Sequence, residues 1–123
     1  MSSTQVLGAA AEARAAELLV AHGLRVIERN FRVRGGELDL ICLEGDAVVF
    51  VEVRWRRNLN FGGAAASITP RKMSRLALAA QYWLARHPQF RHAPCRFDCV
   101  LSNGTGEELT VEWLRDAFTL TPG

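Results

Sequence analysis

The chain is predicted to fold as an α/β (α+β) domain, one mixed β-sheet flanked by helices in the order α-β-β-β-α-β-β. Three observations predict it. The segments Gly36-Glu37-Leu38-Asp39-Leu40-Ile41 and Val48-Val49-Phe50-Val51-Glu52-Val53-Arg54 have strand length and strand composition. Glu44-Gly45-Asp46 between them is a turn signal, so the two pair as a hairpin. Segments of helical period precede and follow this group, and successive strands between helices fit a single sheet with helical cover. At 123 residues the chain is long enough for one sizeable core, and residues 1–123 are read as a single domain.

The elements follow in order. Ser2, Ser3 and Thr4 offer N-caps for a helix that runs to about His22 and is closed by Gly23. Ala11, Ala15, Leu18, Leu19 and His22 make its stripe, and Glu12 lies at the edge of that stripe. Leu24 to Phe31 reads as a first strand, and Asn30 to Gly36 as a basic connection carrying Arg32 and Arg34. After the hairpin, Trp55 to Ser67 reads as an exposed, mobile loop rich in Arg, Asn, Gly and Ala. Thr69-Pro70 starts a second helix that ends near Arg86, with Met73, Leu76, Ala77, Ala80 and Leu84 as its buried stripe. Trp83 and Tyr82 are expected in the core or at a homodimer contact. Cys95 to Leu101 is a strand, Asn103-Gly104-Thr105-Gly106 a turn, Glu108 to Trp113 an edge strand, and Arg115 to Leu120 a short C-terminal piece.

Composition excludes several classes. No apolar run reaches the length of a membrane span, and charged Glu12, Arg14 and Glu17 break up the N-terminal segment as a signal core. The three cysteines form no disulfide or zinc framework and are expected reduced and packed, which places the protein in the cytoplasm. His22, His87 and His92 have no ligand spacing. The net charge of +2 hides an asymmetry: Arg25 to Arg96 holds 13 basic and 6 acidic residues, a net of +7. Fourteen of the fifteen basic residues are arginine, whose planar fork suits phosphate, so a polyanionic partner is expected. A GC-rich genome explains arginine in place of lysine, but not where the charge is concentrated.

The hairpin carries the chemistry. Side chains alternate along a strand, which puts Glu37 and Asp39 on one face of the first segment and Glu52 with Arg54 on one face of the second. If Asp39 and Glu52 meet, two carboxylates lie among apolar strands, and a hard divalent cation relieves their repulsion. The bland alternative is a solvated polar face. Val48 and Phe50 on the face of Glu52 argue against it.

Asp on the second strand and Glu-x-basic on the third resemble the restriction-endonuclease-like PD-(D/E)xK nuclease superfamily. More closely, the chain resembles the YraN family of small uncharacterised bacterial proteins. The resemblance runs from Gly8 to Phe118. It is carried by Gly8 with Glu12, Asn30-Phe31-Arg32, Gly36-Glu37-Leu38-Asp39-Leu40-Ile41, Val49-Phe50-Val51-Glu52-Val53-Arg54, Phe61-Gly62, Arg71-Lys72 and Arg96-Phe97-Asp98. It implies a restriction-endonuclease-like mixed sheet and a Mg2+ or Mn2+ site held by Asp39, Glu52 and the main-chain carbonyl of Val53. Glu37 would bind a water or a second ion, and Glu12 matches the helix-one acid of the Holliday-junction resolvase branch. Arg54 stands where the superfamily usually has lysine. Arginine holds phosphate but is no base. Two readings of Lys72 stand equally: a substitute ammonium reaching the site, or a solvated surface lysine.

Three functions are expected in competition: a Mg2+-dependent endonuclease acting on branched or structured DNA, a DNA-binding module with little catalysis, and a structural domain whose carboxylates pair internally. Arg32, Arg34, Arg56, Arg57, Arg71, Lys72 and Arg75 are the candidate phosphate contacts. Phe61 is the candidate for stacking on bases, and Trp55 is expected to plug the core edge.

Overall fold

The computed structural model describes residues 2–118. Helix α1, Ser3–Ala21, starts at Ser2, whose hydroxyl accepts the Gln5 N–H at 3.1 Å while the Gln5 side chain accepts the Ser2 N–H at 2.9 Å. This reciprocal bond satisfies two of the donors a helix start leaves open. The buried face of α1 is built from Ala11, Ala15, Ala16 and Leu19. Small side chains let the helix lie close on the sheet, over Leu40, Cys42, Val49, Val51 and Val100.

Five strands follow: β1 (Arg25–Val33), β2 (Gly36–Glu44), β3 (Ala47–Arg56), β4 (Cys95–Asn103) and β5 (Thr110–Phe118). They lie side by side in chain order, with β3 and β4 parallel and the other neighbours antiparallel. This is the mixed sheet with flanking helices that the sequence predicts. Between β2 and β3, Glu44 pairs with Ala47 across Gly45 and Asp46, with Gly45 at φ +58°. The parallel step from β3 to β4 needs a long crossover, and helix α3, Pro70–Ala85, provides it. Thr69 caps α3 through the Lys72 N–H. Leu76, Ala79, Ala80 and Trp83 of α3 cover Leu38, Ile41, Val48 and Phe50 on the second face of the sheet. The central strand is buried on both faces, which accounts for its unbroken apolar run.

Several expectations are corrected. β1 continues through Val33, so Asn30 to Val33 belong to the sheet and only Arg34-Gly35 turns the chain. Asn30 adopts φ +54°, a conformation asparagine tolerates better than most residues, which allows the strand to continue. The segment after β3 is partly helical: a single 3₁₀ turn at Asn60–Gly62, then a short helix α2, Gly63–Ala66. Trp83, not Met73, is the centre of the α3 stripe, and Tyr82 is exposed. β5 is one continuous strand to Phe118; residues 119–123, into which the expected Arg115–Leu120 piece runs, lie outside the described residues. Its register against β4 shifts between Phe97 and Cys99, and the Asp116 N–H there turns to the buried Asp98 carboxylate at 2.9 Å. Cys42 and Cys99 are buried, and burial pushes each thiol up to about 12. Cys95 is exposed at the start of β4, contrary to the expectation that all three are packed. No helix among the described residues is long and apolar enough to cross a membrane.

Candidate metal and phosphate site

The site begins where β2 leaves β3. Pairing runs from Glu44–Ala47 to Leu40–Val51 and stops there, while β2 stays paired to β1 as far as Gly36. The Val53 N–H then donates to Asp39 Oδ2 at 2.8 Å. A side chain thus replaces the lost strand partner. The facing pattern breaks at the same point: Leu38 packs with the α3 side and Leu40 with the α1 side. Glu37 and Asp39 accordingly have different partners. Glu37 meets Lys72 on α3, while Asp39 meets Val53 and Glu52.

Glu52 follows Val48 and Phe50 on the α3 face of β3 and is 2% exposed. Its Oε1 lies 3.6 Å from an Arg54 nitrogen and 3.7 Å from Lys72 Nζ, while its Oε2 is buried with no hydrogen-bond partner among the described residues. Burial pushes its carboxyl up to about 9. The neighbouring Asp39 carboxylate acts in the same direction, against the smaller effects of Lys72 and Arg54. Two ionised carboxylates cannot bond one another, so the pair is satisfied by a shared proton or by a cation. Among the described residues no group of three or more His, Cys, Asp or Glu gathers tightly enough to cage a metal by itself. Mg2+ does not require such a cage, because it is commonly held by one or two carboxylates and several waters. The orphaned Glu52 oxygen beside Asp39 fits that donor set.

The remaining candidates divide. Lys72, only 16% exposed, bonds Glu37 Oε1 at 3.0 Å and bridges from there to Glu52. The hydrogen bond from Lys72 most, then its charge and those of Arg32 and Arg75, hold the Glu37 carboxyl below its ordinary range against the burial penalty. Arg32 Nε lies 3.7 Å from Glu37. Arg34 and Arg71 are exposed. Glu12 on α1 is partly buried and lines the same cavity as Asp39; burial raises its carboxyl most, then the Asp39 charge, while the Asn30 side chain and the Arg29 and Arg32 charges oppose both. A cavity of about 220 Å3 opens here, lined by Glu12, Asp39, Val53, Arg54, Trp55 and Arg56.

Arg54 points its Nε–H at the Ser67 hydroxyl, 2.7 Å away, and Ser67 in turn donates to the Ala64 carbonyl. The arginine therefore straps α2 to the carboxylate pair. Trp55 donates its indole N–H to the Gly104 carbonyl at 3.0 Å, which seats it at the core edge. Arg56 and Arg57 are exposed, and Phe61 is fully so. Sequence reasoning missed Ser67 and Asn30. Nothing local marks Ser67, since its role exists only once α2 folds against β3. Asn30 carried a usable signal, because asparagine is enriched at positive φ.

The profile of a family described as "Uncharacterised protein family UPF0102" matches residues 11–101 of this chain. A UPF0102 protein of Dechloromonas aromatica (strain RCB) is 54% identical over 117 residues, covering 95% of this chain and 92% of that protein. A UPF0102 protein of Stutzerimonas stutzeri (strain A1501) is 48% identical over 118 residues, covering 96% and 98% respectively. Another, of Alcanivorax borkumensis, is 44% identical over 119 residues, covering 96% and 95%.

Proposed function

The chain belongs to the uncharacterised protein family UPF0102, and from the site it carries we propose that it binds DNA through the phosphate backbone and hydrolyses phosphodiester bonds with the help of a divalent cation. One observation carries this reading: Glu52 is buried against Asp39 with one oxygen unpartnered and a lysine at 3.7 Å from the other. Such an arrangement destabilises an empty fold and suits a cation. Asp39 and Glu52 would hold Mg2+ or Mn2+, with Val53 and waters filling the remaining positions. Bound there, the ion would supply an acidified water and charge neutralisation at phosphorus. Lys72 places an ammonium beside Glu52 from α3, the charge that Arg54 on β3 does not supply as a lysine. It stabilises negative charge developing on the phosphoryl oxygens. Arg54 positions Glu52 and α2, and Arg32, Arg56, Arg57 and Arg75 attract the backbone. Branched or structured DNA is the substrate class proposed.

A second reading is favoured by the ion pairs themselves. Lys72 and Arg54 neutralise Glu37 and Glu52 internally, as in a domain whose carboxylates are structural. Mg2+ or Mn2+ is titrated into the purified protein with labelled linear, flapped and four-way-junction DNA. Metal-dependent cleavage, lost in Asp39→Asn and Glu52→Gln, supports the nuclease. Binding without cleavage reduces the protein to a DNA-binding module, and neither binding nor cleavage leaves the structural reading.

A further inference from the structure

The segment between β3 and α3 carries two features that folding alone does not reward. Phe61 is 100% exposed, and Leu59 beside it is 70% exposed. Phe61 also sits at φ +57°, ψ +31°, a left-handed conformation that a bulky residue adopts only when its surroundings impose it. The surroundings do impose it. The Asn60 N–H donates to the Asn58 side chain at 2.9 Å, the Gly62 N–H to the Leu59 carbonyl at 3.2 Å, and the Ala64 N–H to the Asn103 side chain at 2.8 Å. Gly63 allows that last contact, since a Cβ there would meet Asn103 Oδ1 at 2.4 Å. The aromatic ring is thus held out in solvent by a bonded framework.

Its setting is chemically defined. Phe61 rims a basin of about 470 Å3 with Arg56, Arg57, Asn58, Asn60 and Ser67. Arg56 also lines the cavity that contains Asp39 and Glu12. Ser67 is the residue that holds Arg54 next to Glu52. The basin and the carboxylate site therefore share a wall. A ring face, two arginines with no acidic residue among the described residues lining the basin, and amide side chains suit a base stacked on the ring with its phosphate on the arginines. The internal bases of an intact duplex are stacked on both faces and offer none to Phe61.

We infer that the Phe61 basin takes an unpaired DNA base next to the carboxylate site, so that the protein selects single-stranded or flapped DNA over blunt duplex. This rests on the reading of the site as DNA-binding. The occupant is an unpaired base because the basin pairs an exposed ring with positive charge continuous with the phosphate site.

The experiment measures affinity by fluorescence anisotropy for three labelled probes: a single strand, a blunt duplex, and that duplex with a single-stranded flap. Ca2+ replaces Mg2+ to prevent turnover. The wild-type protein is expected to prefer the single strand and the flap. Phe61→Ala should lose about fivefold to 150-fold on those two probes, the range for one stacked base, and less than about twofold on the duplex. Phe61→Trp should keep the preference and show quenched emission on the single strand. Equal loss on all three probes, or no loss on any, with the variant's melting curve intact, overturns the inference. If Phe61→Ala does not fold, an unquenched and non-selective Phe61→Trp overturns it instead. Wild-type binding to all three probes alike removes base selection and leaves the phosphate-binding reading standing. Absence of binding to every probe removes both.

Discussion

Glu52 is a carboxyl whose surroundings favour its neutral form, and that has a sign that stability measurements can read. Its pKa is raised to about 9 in the folded chain, above its ordinary value of 4.5, so the folded state binds a proton that the unfolded chain has released. The resulting stabilisation is complete below the unfolded value and is lost as pH rises through the folded one. The Glu37 and Glu44 carboxyls are lowered and act in the opposite sense, but their windows lie at and below 4.5. In chelator, the melting temperature should therefore decline between about pH 6 and pH 9. Glu52→Gln should flatten that decline and melt higher by a few degrees at the alkaline end, since the amide has no charge to desolvate; roughly 1 kcal/mol corresponds to about 2–8 °C for domains near this size. A wild-type curve that is level or rising over that range would show Glu52 ionised in the metal-free protein. Lys72 tests the other half of the pair. Lys72→Met should lower metal-dependent cleavage on the order of 10²–10³-fold, as loss of one electrostatic donor does. Arg71→Met, one residue away but exposed, should leave the cleavage rate constant within about threefold.

At the scale of elements, the site depends on how closely α3 approaches β2. Gly36 permits it: a Cβ on Gly36 would stand 2.4 Å from the Arg75 carbonyl oxygen and 3.1 Å from the Ala79 nitrogen. Backbone on both sides leaves no flexible group to yield. Gly36→Ala should cost on the order of 1–3 kcal/mol in urea denaturation. It should also weaken the Lys72–Glu37 contact by displacing the helix start. A loss below about 0.5 kcal/mol would show that α3 slides without penalty. These elements were largely legible. Alternation in Val48–Arg54 placed Glu52 on the same face as Phe50, and the Thr69-Pro70 start of α3 was readable from capping chemistry alone. The arrival of Lys72 at Glu52 was not, because it depends on the crossing of α3 over β2, a tertiary distance without a local period. The same holds for Ser67 and for the buried Asp98. Asp98 bonds Arg96, two residues before it on β4, and the Trp113 indole and Asp116 N–H, which only the β4–β5 pairing with its register shift brings to it. The reading of Asn30 to Gly36 as a connection failed for another reason: arginine and glycine resemble loop composition, yet an asparagine at positive φ lets the strand pass through.

Across the whole molecule, charge and fold divide the labour. The two ends of the parallel β3–β4 pair carry different carboxylate chemistry. Toward the N-terminal end Glu44 is engaged by Arg96 and Arg115 at 2.7 and 3.1 Å, and Asp98, opposite Val51 one register step from Glu52, is bonded by Arg96 at 2.9 Å. At the other end Glu52 remains incompletely satisfied, with longer ion pairs and an orphaned oxygen. A purely structural role would predict the same completeness at both ends, and the contrast is the reason to look for a ligand at the second. The net +7 of Arg25 to Arg96 is distributed around that second end by Arg32, Lys72, Arg75, Arg56 and Arg57. Arg96, although inside the same stretch, is committed to Glu44 and Asp98 and is not available to a polyanion. DNA affinity should therefore fall steeply with salt, the logarithmic slope giving the number of phosphates neutralised at about 0.7–0.9 per contact. Arg56→Ala with Arg57→Ala should reduce that slope by about 1.4–1.8. Both side chains are exposed, so the melting temperature should be unchanged. Arg115→Ala, which removes one positive charge from the Glu44 end against two in the double variant, should leave the slope within its error. A slope that responds equally per charge removed in both variants would mean that the protein attracts DNA by overall charge, and that the carboxylate end is not where the backbone lies.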